Sequence, residues 1–442
     1  MTLASVRIKH ATLIVSAAAV AIAATLLLAS RTYTFYFDEW TFILTAPDWT
    51  WITYLQPHNE HPSILFRLVY GALLNTVGMR SYLPYMAALL SLHAANAVLL
   101  FLVVRRRAGD AVAMGAAALL LVLGAAWEDL LWAFQMAWLA SVACGLGMML
   151  VLQARPARRN LAFAVSLAAA SVMFSGIGLM FVAFAVTFLA STPGRRRQVL
   201  WLAPLGAALI VWYLAFGRSG TPPNPPPTAA NVFLVPLYVG WGLGQSAAGL
   251  VGEGGQWGLP ALAVALLAIG LTWWRRRPDP FALGVVASLL TLYVVTGLVR
   301  AQLGYQQSGS SRYIYEGAIG WLILLGDAAR GLPWRGTWRP ALAACLFLAW
   351  FSSAVLLFSF AAAKDAQMQR AVADLQALAF ERADPCLSSA ASVDAFVMPQ
   401  VNAPAAYYRA VDRYGDPVAG QPVTDRADFD HARQNLVRPG CR

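Results

Sequence analysis

Charge is scarce in this chain. Asp, Glu, Lys and Arg make up 12% of its 442 residues, against about 25% in a soluble globular domain, which excludes water as the solvent for most of its surface. Cysteine is scarce as well, and the four present show no spacing suited to a metal site. No internal repeat, dinucleotide-binding fingerprint or phosphate-binding P-loop occurs, which argues against a primary ATP-driven transporter. Acidic residues are outnumbered 21 to 32 by Lys and Arg, for a net charge of +11. That excess does not point to nucleic acid, because the arginines stand in short clusters at the ends of apolar runs, the pattern that orients helices in membranes.

What is abundant is apolar sequence: 59% of residues are hydrophobic and mean hydropathy is +0.59. The runs predict an all-α polytopic membrane protein of about eleven transmembrane helices, near 11–30, 82–104, 111–125, 134–153, 160–174, 177–191, 199–216, 258–274, 281–299, 313–328 and 339–362. The first follows Arg7 and Lys9 as a secretory signal would. At roughly 20 residues it is long enough to span, and it is expected to remain as an uncleaved anchor. With spans alternating in direction, the clusters Arg105-Arg106-Arg107, Arg155 with Arg158-Arg159, Arg195-Arg196-Arg197, Arg275-Arg276-Arg277, and Arg330 with Arg335 and Arg339 fall on one side. The positive-inside rule makes that side cytoplasmic. The expectation is a multi-pass cell-membrane protein with a cytoplasmic N-terminus and an extracytoplasmic C-terminus.

Residues 1–362 form the expected transmembrane domain, with long external loops at 31–81, 217–257 and 300–312. In the first loop, stretches around Trp40 to Leu55 and Pro62 to Val77 suit helices lying in the interface. The second opens on a stiff Pro-rich piece and continues Gly-rich, as a segment that covers or uncovers a cavity would. Residues 363–442 change composition and read as a small extracytoplasmic tail. Cys386 and Cys441 lie there while Cys144 and Cys345 lie in spans, so the compartment favours one tail disulfide.

Polar residues gather on the external side, and ionisable groups at membrane depth mark function by default. Phe37-Asp38-Glu39-Trp40 follows the first span. Two adjacent carboxylates on a helix point about 100° apart, and Asp38 is taken as the one facing inward, although acids also suit a helix start. His58-Asn59-Glu60-His61-Pro62 follows, presenting polar side chains toward a cavity or capping a helix at Pro62. Its histidines resemble half a metal site without a third ligand. Trp127-Glu128-Asp129 with Gln135 combines aromatic faces, carboxylates and an amide, as sugar recognition requires. Arg300, and Arg312 with Tyr313, are placed to meet phosphate oxygens, although a snorkelling arginine looks the same in sequence.

These residues together resemble the GT-C superfamily of integral membrane glycosyltransferases, which use polyprenyl-phosphate-linked sugars outside the cytoplasmic membrane. The resemblance rests on Phe37-Asp38-Glu39-Trp40, His58-Asn59-Glu60-His61-Pro62, Trp127-Glu128-Asp129 and Ser311-Arg312-Tyr313, and covers roughly 1–362. It implies a catalytic base in the first external loop at Asp38, with Glu39 as the alternative, and a second acidic site at Glu128 or Asp129 for acceptor or metal. The Asp-Glu pair departs from the more usual Asp-Asp. His58, Glu60, His61, Gln135, Arg300, Arg312 and Tyr313 complete the expected substrate site, with a divalent ion as a further candidate for neutralising phosphate. The implied partners are the lipid-phosphate sugar, a glycan or glycolipid acceptor of the cell envelope and membrane lipid, with no nucleic acid. The rivals are a transporter or flippase of a lipid-linked saccharide, which needs no base, and a lipid-linked glycan ligase.

Overall fold

The computed structural model describes residues 7–332, 336–395, 397–423, 425–438 and 440–441. Every regular element among them is helical. In chain order these are α1 Ala11–Ala29, α2 Asp38–Thr45, α3 Trp51–Leu55, α4 Ile64–Thr76, α5 Leu83–Leu121, α6 Trp127–Leu131, α7 Met136–Leu152, α8 Arg158–Phe174, α9 Leu179–Ser191 and α10 Ala203–Ala215. There follow α11 Asn231–Gly249, α12 Gly258–Arg275, α13 Pro280–Arg300, α14 Ser311–Ala329, α15 Trp338–Glu381, α16 Pro404–Tyr414 and α17 Arg426–Leu436.

Seven described stretches are long and apolar enough to cross a membrane: Ala11–Ala29, Leu83–Leu121, Ala133–Leu152, Arg196–Ala215, Gly255–Arg275, Pro280–Leu303 and Trp338–Glu381. The expected eleven segments differ from this number for local reasons. Gly109 breaks α5 with φ 82° and ψ 178°, a left-handed conformation that L side chains resist. The two halves then fold against each other, so that the His93 ring lies 3.3 Å from the carbonyl of Leu121. The helices α8 and α9 are 17 and 13 residues long, and α14 carries Arg312 and Glu316 in its opening turns.

The arginine clusters meet at one end of the bundle. Arg107 bridges Asp279 at 2.8 Å and Asp327 at 2.7 Å, Arg330 joins Asp327 at 3.2 Å, and Arg105 holds Asp110 at 2.6 Å. Arg106 and Arg195 donate to the last carbonyls of α7, Leu150 and Leu152, where the negative end of the helix dipole favours a cation. Arg335 lies outside the described residues.

At the opposite end stand α2, α3, α4, α6, the turn 175–178 and the segment 301–310. Two features there differ from expectation. The segment 217–257 contains α11, whose C-terminal half, Gly242 and Gly244 to Gly249, is buried against α12, α13 and α14. Small residues permit that close packing, and Asn231 fastens its start to Gln302 at 2.6 Å. The tail is not set off at residue 363: α15 runs unbroken to Glu381, and Tyr407 of α16 packs on Trp40 of α2 at 5.6 Å between ring centroids.

Candidate functional site

The sequence His58-Asn59-Glu60-His61 forms a tight turn in which His58 and His61 exchange backbone hydrogen bonds of 3.0 and 2.9 Å. Asn59 takes φ 51°, a conformation Asn tolerates better than most residues. Closing the turn sends both imidazoles into one cleft, which Asp38, Gln135, Ser175, Arg300 and Arg312 also line. Asp38 Oδ2 lies 4.0 Å from His58 Nε2. The His61 ring sits so close to the turn at 176 that a Cβ on Gly176 would stand 2.6 Å from Nδ1, so only glycine fits there.

The cleft contains polar groups that the protein leaves unused. His58 Nε2, His61 Nδ1, Gln135 Oε1 and Ser175 Oγ are buried with no hydrogen-bond partner among the described residues. Buried polar atoms are otherwise nearly always paired, so four of them around one cleft mark a place for water or substrate. Burial pushes the His61 imidazole down to about 4, which keeps it neutral and able to donate one hydrogen bond and accept another. Burial acts to raise Glu60, yet the charge and hydrogen bonds of the facing Arg300 guanidinium leave it below its ordinary value.

Each cleft arginine has its own carboxylate. Arg300 Nε donates to Glu60 Oε1 at 2.7 Å. Arg312 donates from its side chain to Glu128 Oε1 and from its backbone to Glu128 Oε2, both at 3.2 Å. Glu60 and Glu128 therefore hold the arginines and leave part of each guanidinium fork free for an anion. Tyr313 is a wall behind them, its ring 5.5 Å from that of Trp138.

Two expected residues lie elsewhere. Glu39 is fully buried, away from the cleft. Its carboxylate accepts from the Tyr36 backbone at 2.9 Å, from the Tyr82 hydroxyl at 3.0 Å and from the Tyr70 hydroxyl at 3.4 Å, and burial raises its pKa to about 8. This is a structural anchor, so the alternative of Glu39 as base does not fit its surroundings. Asp129, one residue beyond Glu128, points the other way, into the bundle toward Glu316; both are unexposed, and neither has a hydrogen-bond partner among the described residues. Among the described residues no three His, Cys, Asp or Glu side chains gather as a metal site. The cations built into the cleft are its arginines.

An apolar cavity of about 420 Å³ adjoins the cleft. It runs between α8, α9, α10 and α13, with Met180, Leu209, Tyr213, Leu292 and Val299 among its walls, and its polar end is Glu60 and His61. His61 thus belongs to both spaces. The polar cleft itself holds about 40 Å³, room for about three waters.

Sequence reasoning missed Ser175, Lys364 and Gln400. Lys364 stands 3.3 Å over the Tyr36 ring and donates to Gln367, and Gln400 donates to Asp38 at 3.3 Å. Both lie beyond residue 362, in sequence without a motif: the continuation of α15 carries Lys364 to Tyr36, and only docking of the tail brings Gln400 to α2. The tail also carries the disulfide between Cys386 and Cys441. Comparison with protein-family models, curated proteins and solved structures finds no match to this chain.

Proposed function

We propose that this protein is a membrane glycosyltransferase that moves a sugar from a polyprenyl-phosphate donor to the hydroxyl of an extracytoplasmic glycan or glycolipid acceptor. In this reading the chain crosses the membrane eleven times, counting the two halves of α5 and the shorter α8, α9 and α14, and the positive-inside rule assigns the arginine-rich end to the cytoplasm. The cleft and the tail then face outside. The observation that carries the reading is the junction at His61, where a long apolar cavity ends on a cleft holding Asp38, Arg300 and Arg312.

Each space suits one part of such a donor. The apolar cavity takes isoprenoid chain, and burial of a chain there contributes roughly 0.8 kcal/mol per CH₂. The guanidinium forks of Arg312 and Arg300 meet the phosphate and stabilise charge on the leaving group. Asp38 takes the proton of the acceptor hydroxyl as it attacks the anomeric carbon. Attack opposite the phosphate inverts that carbon. A cleft of about 40 Å³ is too small for a hexose, so transfer requires one wall, the His58–His61 turn or the tail, to move outward.

Turnover of a synthetic polyprenyl-phosphate sugar by the purified protein tests this. Asp38→Asn keeps size and hydrogen bonding but removes the base, and is expected to lower turnover by on the order of 10² to 10⁴ with donor binding unchanged. Near wild-type transfer by a folded Asp38→Asn protein would refute the assignment. The transporter reading draws on one observation, the unpaired Asp129 and Glu316 inside the bundle. Buried acids of this kind serve proton relays in transporters. Proton-driven movement of the lipid-linked saccharide across proteoliposomes, with no glycosidic bond formed, would establish it instead.

A further inference from the structure

The side chain that donates a hydrogen bond to Asp38 comes from the far end of the chain. Gln400 Nε2 donates to Asp38 Oδ1 at 3.3 Å, while Oδ2 is the oxygen toward His58. We propose that Gln400 is a positioning residue for Asp38, and that the segment closed by Cys386 and Cys441 is a fixed part of the site. The proposal rests on the reading of Asp38 as the group that meets the acceptor.

The turn that presents Gln400 is built to hold its place. Met398 donates to the Asp394 carbonyl at 3.1 Å and Val401 to the Met398 carbonyl at 3.0 Å, while Val397 donates to the Asp394 side chain at 2.9 Å. Val393, Met398 and Val401 are fully buried. Arg370 of α15 grips Asp394 at 2.6 Å, and Asn435 of α17 donates to the Val393 carbonyl at 3.1 Å. Behind Asp38 the tail meets α2 and its surroundings twice more, through the Trp40–Tyr407 ring pair and through Met79, whose amide donates to the Tyr414 carbonyl at 2.8 Å. Helix α2 and the tail are therefore one packed unit.

The amide has one workable orientation. Turned over, its oxygen would face the carboxylate, and two acceptors repel. With the nitrogen donating, Oδ1 is occupied and Oδ2 keeps free lone pairs toward the cleft. Gln400 Oε1 remains buried and without a hydrogen-bond partner among the described residues. The other titratable and charged groups around Asp38 come from separate elements: Tyr36 from the link between α1 and α2, His58 from the turn before α4, Glu128 from α6, Arg300 from α13 and Arg312 from α14. No other side chain donates a hydrogen bond to Asp38 among the contacts of the described residues, so the neutral donor that fixes it is Gln400.

The test measures Asp38 itself and then its chemistry, in the full-length protein in lipid nanodiscs. Carbodiimide labels protonated carboxyls, and mass spectrometry of the Asp38 peptide gives the pH at which labelling is half complete. Loss of a donor to a carboxylate makes its proton harder to remove, so Gln400→Leu should move that midpoint up by about one pH unit and Gln400→Glu further. The acidic limb of the turnover profile should move up together with the labelling midpoint, so that turnover on that limb falls about tenfold, while KM for donor holds and the Gln400→Leu rate recovers at higher pH. A merely structural role would depress turnover equally at every pH. If Gln400→Leu does not fold, Gln400→Asn, which withdraws the amide by one methylene, carries the same expectation. Labelling curves that overlay wild type overturn the proposal. A shifted labelling curve together with full transfer by Asp38→Asn overturns the role of Asp38 as base and leaves its positioning by Gln400 standing.

Discussion

Asp38 and Glu39 open the same helix and meet opposite surroundings. Asp38 lines the cleft; Glu39 is enclosed by Tyr36, Tyr70 and Tyr82. Because the folded protein holds the Glu39 proton up to about 8 against an ordinary 4.5, the stability this gives is complete below about 4.5 and is lost as pH rises toward 8. The thermal midpoint of the wild type should therefore fall over that window, on the order of 1 kcal/mol per pH unit, and Glu39→Gln should flatten the fall. Equal slopes for the two proteins would show that Glu39 is not the group responsible. For Arg312, Lys keeps the charge but loses the fork. Arg312→Lys is expected to raise KM for the lipid-phosphate donor about tenfold, or about 1.4 kcal/mol, and a KM equal to wild type would leave Arg312 with structural duty to Glu128 alone.

Among the elements, α5 depends most on a single residue. A 39-residue helix would be longer than any membrane requires, and Gly109 divides it at the position where Arg105 and the Ile8 amide both hold Asp110. Gly109→Ala should cost about 1–3 kcal/mol, since extended backbone at positive φ is essentially closed to residues with a Cβ. The checks are a lowered thermal midpoint with transfer per folded molecule unchanged. The division of this run into two segments was legible, because Arg105-Arg106-Arg107 and Gly109-Asp110 interrupt it. Helix α11 was not: Pro236 and the glycines of 231–249 lower helix propensity, and only burial against α12, α13 and α14 decides its form.

For the molecule as a whole, charge separates the two ends. Labelling by an impermeant thiol reagent in intact cells, in a background without Cys144 and Cys345, checks the orientation. Single cysteines at the exposed positions Ser219 and Gln306 should react, and at the exposed positions Ala157 and Thr337 should not. The reverse pattern would place the cleft in the cytoplasm, where no sugar carried on the outer leaflet could reach it.

The sequence by itself determined the helical membrane class, the gathering of arginines at one end and most of the cleft, because hydropathy and charge act on short segments and can be read one run at a time. It also brought out Asp38, His58, His61, Gln135, Arg300 and Arg312 as polar residues in apolar surroundings. Only the tertiary structure decided which carboxylates serve the cleft and which serve an arginine or the core, since Asp38 and Glu39, or Glu128 and Asp129, differ only in the direction that packing gives them. It alone brought Gln400 to Asp38, a contact between residues 362 positions apart, because the docking of α16 and its neighbouring turn on α2 is a matter of surface fit that no local pattern encodes.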